Sequence, residues 1–80
     1  MTLEEAYAEM RKMIEGSRAR RERSSAFHAA IMLHADALAD VDAYEICSQL
    51  GFTPTHYTEV RKTLKANAIL RRMGYKLVKE

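Results

Sequence analysis

Apolar positions along the chain recur at three- and four-residue steps, and each such stretch predicts a helix. Leu3, Ala6, Tyr7, Met10, Met13 and Ile14 form the first stripe. Thr2 and Glu5 stand ahead of it at the spacing of a capping box, and Glu4, Glu5 and Glu9 precede Arg11 and Lys12 as a helix dipole favours. Gly16 and Ser17 weaken that helix, and the run RARRER follows as a helix end or a mobile arm. Ser24 or Ser25 caps a second helix running to about residue 39. Phe27, Ala30, Ile31 and Leu38 mark its buried face, with His34 on the same stripe.

Residues 41–60, VDAYEICSQLGFTPTHYTEV, carry the densest local signals and predict two short helices joined by a tight turn. Asp42 and Glu45 have capping-box spacing, with Val41 and Ile46 placed to close a hydrophobic staple. Gly51 is placed to take the left-handed conformation that stops a helix. Thr53 then caps again, Pro54 fills a first helical position that needs no amide donor, and Phe52 and Tyr57 form a second staple pair. The helix opened there spans about 54–66, with Tyr57, Val60 and Leu64 inward.

Cys47 and Gly51 stand four apart, and Ile46, Leu50, Phe52, Tyr57 and Val60 fill the surrounding apolar positions. In this the stretch resembles the helix-turn-helix DNA-binding superfamily, where a small residue in the first helix lets the second pack close and a glycine follows four positions later. Cys47 replaces the usual alanine, and Tyr57 is larger than the common valine or isoleucine. The resemblance covers about a quarter of the chain.

Beyond Leu64 the apolar pattern changes sides. An unbroken helix would carry Ile69, Leu70 and Met73 on nearly the face opposite Tyr57, Val60 and Leu64. Asn67 offers a break, after which 68–72 and 75–79 read as the strands of a β-hairpin with Gly74 at a bulged turn. A hairpin in this place resembles the wing of winged-helix domains, with Val41 where their short strand precedes the turn motif. The competing reading continues the helix to Met73, ends it at Gly74 and closes it with a Leu70–Tyr75 contact. The hairpin is preferred, because a helix that exchanges its buried side midway is unfavourable. The expected fold is therefore mainly α: a helix-turn-helix, winged-helix-like domain over 24–80 with a short C-terminal β-hairpin. Residues 1–23 add an N-terminal amphipathic helix and a basic segment. That helix either docks as extra core or pairs with its copy, and docking with a contribution to a homodimer is preferred.

Eighty residues allow one small domain, which buries roughly 60–65% of its unfolded surface. No apolar run is long enough to span a bilayer, and Glu4 and Glu5 exclude a signal peptide. One cysteine gives no disulfide framework, so a cytoplasmic location is expected. Charge is segregated. Residues 24–52 hold Asp36, Asp40, Asp42 and Glu45 and no Lys or Arg. Residues 53–80 hold seven cations against Glu59 and Glu80, and Arg18, Arg20, Arg21 and Arg23 cluster around Glu22. Cationic segments flanking an anionic middle suit a polyanion-binding face, and equally suit solvated helix surfaces.

His28, His34, His56 and Cys47 lack metal-ligand spacing, and no nucleophile constellation, carboxylate pair or phosphate loop is present. Neither enzyme activity nor a cofactor or metal is expected. The helix over 54–66 offers Thr55, His56, Thr58, Glu59 and Lys62 to base edges in a major groove. Thr53, Arg61, Lys65, Arg71, Arg72 and Lys76, with Arg18, Arg20, Arg21 and Arg23, would hold the backbone of double-stranded DNA. The resemblance thus implies a small sequence-specific transcriptional regulator of the kind found in phages, plasmids and bacteria. A protein-interaction module on the same scaffold is the alternative. Structured-RNA binding through the arginine run is a third reading, without an aromatic platform to support it.

Overall fold

The computed structural model describes residues 1–80 and is all-helical. Helix α1 spans Leu3–Gly16, α2 Arg23–Leu33, α3 Ala35–Leu38, α4 Ala43–Gln49 and α5 Tyr57–Arg72. Single 3₁₀ turns at Arg18–Arg20 and Pro54–His56 precede α2 and α5. The Thr2–Glu5 capping box closes in both directions: Thr2 Oγ1 accepts from the Glu5 amide at 3.2 Å, and Glu5 Oε1 accepts from the Thr2 amide at 2.9 Å. The second bond stabilises the carboxylate and holds Glu5 below the usual carboxyl range.

One core joins all of this. Tyr7, Met10 and Ile14 of α1 pack with Phe27, Ala30 and Ile31 of α2, Leu38 of α3, Ala43, Ile46 and Cys47 of α4, and Val60 of α5. The stripe of α1 is thereby docked on its own chain, with Met13 half-buried against the core. Burial raises the Tyr7 hydroxyl and the Cys47 thiol above their ordinary pKa values, so Cys47 is a protonated core side chain. The expected single helix over 24–39 is divided at His34, whose backbone (φ −109°, ψ 20°) is both the end of α2 and the start of α3. Its cap is also different, since Arg23 is already helical and neither serine side chain caps.

The turn after α4 has the geometry that Gly51 implies. Gly51 takes φ +75°, its amide donates to the Ser48 carbonyl at 3.2 Å, and the Phe52 amide donates to the Cys47 carbonyl at 2.9 Å. This is a Schellman closure. The caps on either side are partial. Asp42 accepts from the Tyr44 amide, but Glu45 reaches forward to Gln49 instead of back to Asp42. Thr53 has the extended cap backbone, yet its hydroxyl bonds Thr55 and His56 side chains, and the first turn after it is 3₁₀.

The β-hairpin is absent, and with it the wing. Helix α5 runs through Asn67 to Arg72, and residues 75–80 form no strand. The pattern does change sides: Ile69, Leu70 and Met73 are 40%, 43% and 65% exposed. The helix continues regardless, for three physical reasons. Residues 64–72 are mostly strong helix formers. A two-stranded hairpin at a chain end would leave its own apolar side chains in water and is marginal alone. The last turn is also anchored, because Arg71 donates to both carboxylate oxygens of Asp36 on α3 at 2.9 and 3.0 Å. Gly74 has the expected positive φ, +98°, but as a helix stop. Its amide donates to the Arg71 carbonyl, and the Tyr75 amide donates to the Leu70 carbonyl, a second Schellman closure.

Two arginines from outside the turn motif tie its first helix down. Arg11 on α1 donates through Nε to the Gln49 carbonyl at 2.8 Å, and also to the Gln49 side chain. Arg23 on α2 donates to the Gly51 carbonyl at 3.2 Å, with its guanidinium 3.9 Å above the Phe52 ring. Both place positive charge at the C-terminal end of α4, where the helix dipole favours it.

A side chain at Gly51 would meet nothing within 4 Å, so a substitution there is opposed by the positive φ alone. Gly51→Val is expected to lose about 1–2 kcal/mol in urea unfolding; an unchanged midpoint would refute the closure. Arg11→Met and Arg23→Met should each cost about 0.5–1.5 kcal/mol. The exposed Lys12→Met should stay within about 0.5 kcal/mol of the parent. If all three behave alike, the arginine contacts contribute nothing.

Candidate nucleic-acid interface

Helix α5 is about 24 Å long at 1.5 Å per residue. Val60 is fully buried, Tyr57 and Leu64 are half-buried, and their direction defines the inner side. At 100° per residue, Thr58, Lys62 and Lys65 fall within about 60° of one another on the opposite side. All three are exposed, and neither lysine makes an ion pair within the chain. Thr55 is exposed in the 3₁₀ turn that leads into the helix, its hydroxyl 2.7 Å from that of Thr53. Thr55, Thr58 and Lys62 therefore form an outward row of two hydroxyls and a cation.

The other two side chains expected to read bases are engaged within the fold. His56 is half-buried, its ring edge-on to Phe52 and Phe27 at 5.1 and 5.9 Å between centroids. Its Nδ1 lies 3.1 Å from the Thr53 hydroxyl. Glu59 turns towards α2, where its Oε2 is 3.2 Å from His28 Nε2. Glu59 meets α2 and Tyr57 meets Tyr44 of α4, so the two edges of the row differ in character.

On the α2 side, the basic segment comes near the turn. Arg18 and Arg23 line one cleft with Arg11, Gln49 and Gly51. Arg23 is committed to Phe52 and the Gly51 carbonyl, and Arg18 pairs with Glu15 at 3.3 Å on an exposed surface where such a pair adds little. Arg20 and Arg21 are exposed without ion pairs, and Arg21 adopts left-handed backbone at φ +56°. On the α4 side, Tyr44 stacks on Tyr57 with 4.7 Å between ring centroids, and Arg61 lies 5.2 Å from the Tyr57 ring. At the far end of α5, Arg71 is bound to Asp36, while Arg72 and Lys76 are exposed and unpaired. The residues expected on a basic wing thus sit on a helix end and an extended tail.

Two residues enter the picture only through the structure. Tyr44 lies off the apolar stripe of Ile46, Cys47 and Leu50, a sign that its ring is not core, but its stacking partner lies thirteen positions away. His28 meets Glu59 across 31 positions, and no local pattern signals that pairing.

No curated protein and no solved structure matches the chain. The model of the HTH-like domain family matches residues 2–73, from the cap of α1 to the end of α5. The match includes α1 and stops before the extended tail, so the matched unit is the whole helical body built around the turn. With that match and the Gly51 closure between α4 and α5, the chain belongs to the HTH-like domain family, a helix-turn-helix type whose general activity is DNA binding.

Proposed function

We propose that the protein binds double-stranded DNA sequence-specifically and acts as a small transcriptional regulator, with the first half of α5 in the major groove. The observation that carries this reading is the exposed row Thr55, Thr58 and Lys62, extended by Lys65; only Thr55 has a partner within the chain, the hydroxyl of Thr53. A helix is about 10–12 Å across and the major groove about 12 Å wide, so α5 can enter it with that row foremost. Hydroxyls and a lysine there can bond base edges. Arg20, Arg21, Arg61, Lys65 and Arg72 supply the backbone contacts, which hold the protein without reading sequence. Tyr44, half-exposed at the start of α4 beside Tyr57 and Arg61, extends this surface on the other flank.

A second reading has an observation of its own. Ile69, Leu70, Met73, Tyr75, Leu77 and Val78 are all exposed in the last twelve residues, more apolar surface than isolated side chains would present. That end of the molecule suits contact with another protein, and the two activities can coexist on one chain.

Titration of duplexes separates reading from holding. Thr58→Ala or Lys62→Ala should weaken a preferred site by about 1–3 kcal/mol and spare scrambled duplex. Replacing Lys65 and Arg72 together should weaken both duplexes alike. It should also flatten the slope of log affinity against log salt by about 0.9 per lost phosphate contact. If none of these changes alters duplex binding, the outer side of α5 is not the working surface and the protein-contact reading replaces it.

A further inference from the structure

His28 holds a position between α2 and α5 in which each ring nitrogen meets an oxygen. Its Nδ1 is 2.8 Å from the Ser24 carbonyl and its Nε2 is 3.2 Å from Glu59 Oε2. A carbonyl oxygen and an ionised carboxylate both only accept, so each ring nitrogen must donate. Two donations at once require the imidazolium. Other charged groups on the packed helices have partners elsewhere: Glu9 of α1 pairs with His34, Asp36 of α3 pairs with Arg71, and Arg23 of α2 lies over Phe52. His56 of the 3₁₀ turn bonds Thr53, which leaves Glu59 as the ion partner of His28.

Loss of the His28 proton changes what Glu59 faces. The Ser24 carbonyl keeps the remaining proton on Nδ1, so a nitrogen lone pair would point at the carboxylate. Glu59 is about half-exposed and has room to leave. It directly follows Thr58, so a carboxylate swung outward enters the reading row. A free anion there opposes phosphate and favours a base edge that donates, such as the cytosine amino group.

We propose that His28 is a positioning residue that sets DNA specificity: as the imidazolium it withholds Glu59 from DNA, and as the neutral ring it releases Glu59 to the reading face. This rests on the DNA-binding reading given above, and the test has one arm that does not. In the protein alone, ring ¹⁵N shifts recorded at about pH 5.5 and about pH 8.5 should report both His28 nitrogens protonated at the lower pH and only Nδ1 at the higher. The Glu59 carboxyl ¹³C shift should move in step. A proton retained on Nε2, or a Glu59 signal indifferent to His28, overturns the proposal whatever DNA does.

In the second arm, wild-type affinity for a duplex without a cytosine opposite Glu59 should fall about three- to ten-fold between pH 6 and pH 8, as a released like charge predicts. Glu59→Gln should abolish the fall, and His28→Ala should show the weaker affinity already at pH 6. A fall that persists in Glu59→Gln assigns the effect elsewhere, such as His56, and overturns the proposal. Absence of duplex binding at every pH would remove the DNA reading and the proposed specificity role together. The ¹⁵N arm would then still report whether the His28–Glu59 pair responds to pH.

Discussion

The contact between Phe27 and Phe52 is the constraint on which the rest of the molecule depends. Their rings lie 4.0 Å apart between centroids, and both are buried. Phe52 directly follows Gly51, so it reaches Phe27 only because the chain reverses there through positive φ. The contact therefore fixes the position of α2 relative to the start of α5. Burying two such rings contributes about 1.5–3 kcal/mol each, whereas each exposed arginine–carbonyl bond is worth about 0.5–1.5 kcal/mol. The aromatic pair sets the arrangement, and Arg11 and Arg23 trim it.

That arrangement has an electrostatic consequence. Charges that look interchangeable in composition are sorted into two kinds. Arg11, Arg23 and Arg71 are consumed in holding α4 and the end of α5, while Arg20, Arg21, Lys62, Lys65 and Arg72 remain free. Of the free set, Lys62 and Lys65 lie on the outer side of α5 and Arg72 at its end, while Arg20 and Arg21 stand on the segment between α1 and α2. His56 and Glu59 are sorted the same way. Both lie on the reading helix or the turn leading into it, yet one is packed on the two phenylalanines and the other is held by His28.

Helix α5 carries two apolar faces in succession. The first, Tyr57, Val60 and Leu64, packs on the core, and the second, Ile69, Leu70 and Met73, faces outward. A helix can sustain this because its backbone hydrogen bonds are internal and indifferent to which side is buried. The Arg71–Asp36 pair and the Gly74 closure then define where it stops. Exposure of the second face is an unfavourable term that the isolated chain carries.

What the sequence by itself determined was local. The capping box at Thr2, the stop at Gly51 and the positive φ of Gly74 all depend on residues within about five positions of one another. The helix-turn-helix was legible for that reason. The stripe of α1 was legible as a pattern, while its docking on α2, α3 and α4 was decided by distant residues. The fate of residues 68–80 was not legible, because hairpin and helix both use Gly74 at positive φ. The helix formers of 64–72 and the marginality of a lone hairpin favour the helix, and Arg71 adds an exposed contact to Asp36, 35 positions away. The candidate site was legible to the same extent. Spacing alone put Thr58 and Lys62 on the outside of a helix. Only the tertiary structure decided that Glu59 meets His28, that Tyr57 meets Tyr44 and that Arg23 is spent on the turn. Those pairings join residues whose separation along the chain carries no periodic signal, and they exist only once Phe27 and Phe52 have brought the helices together.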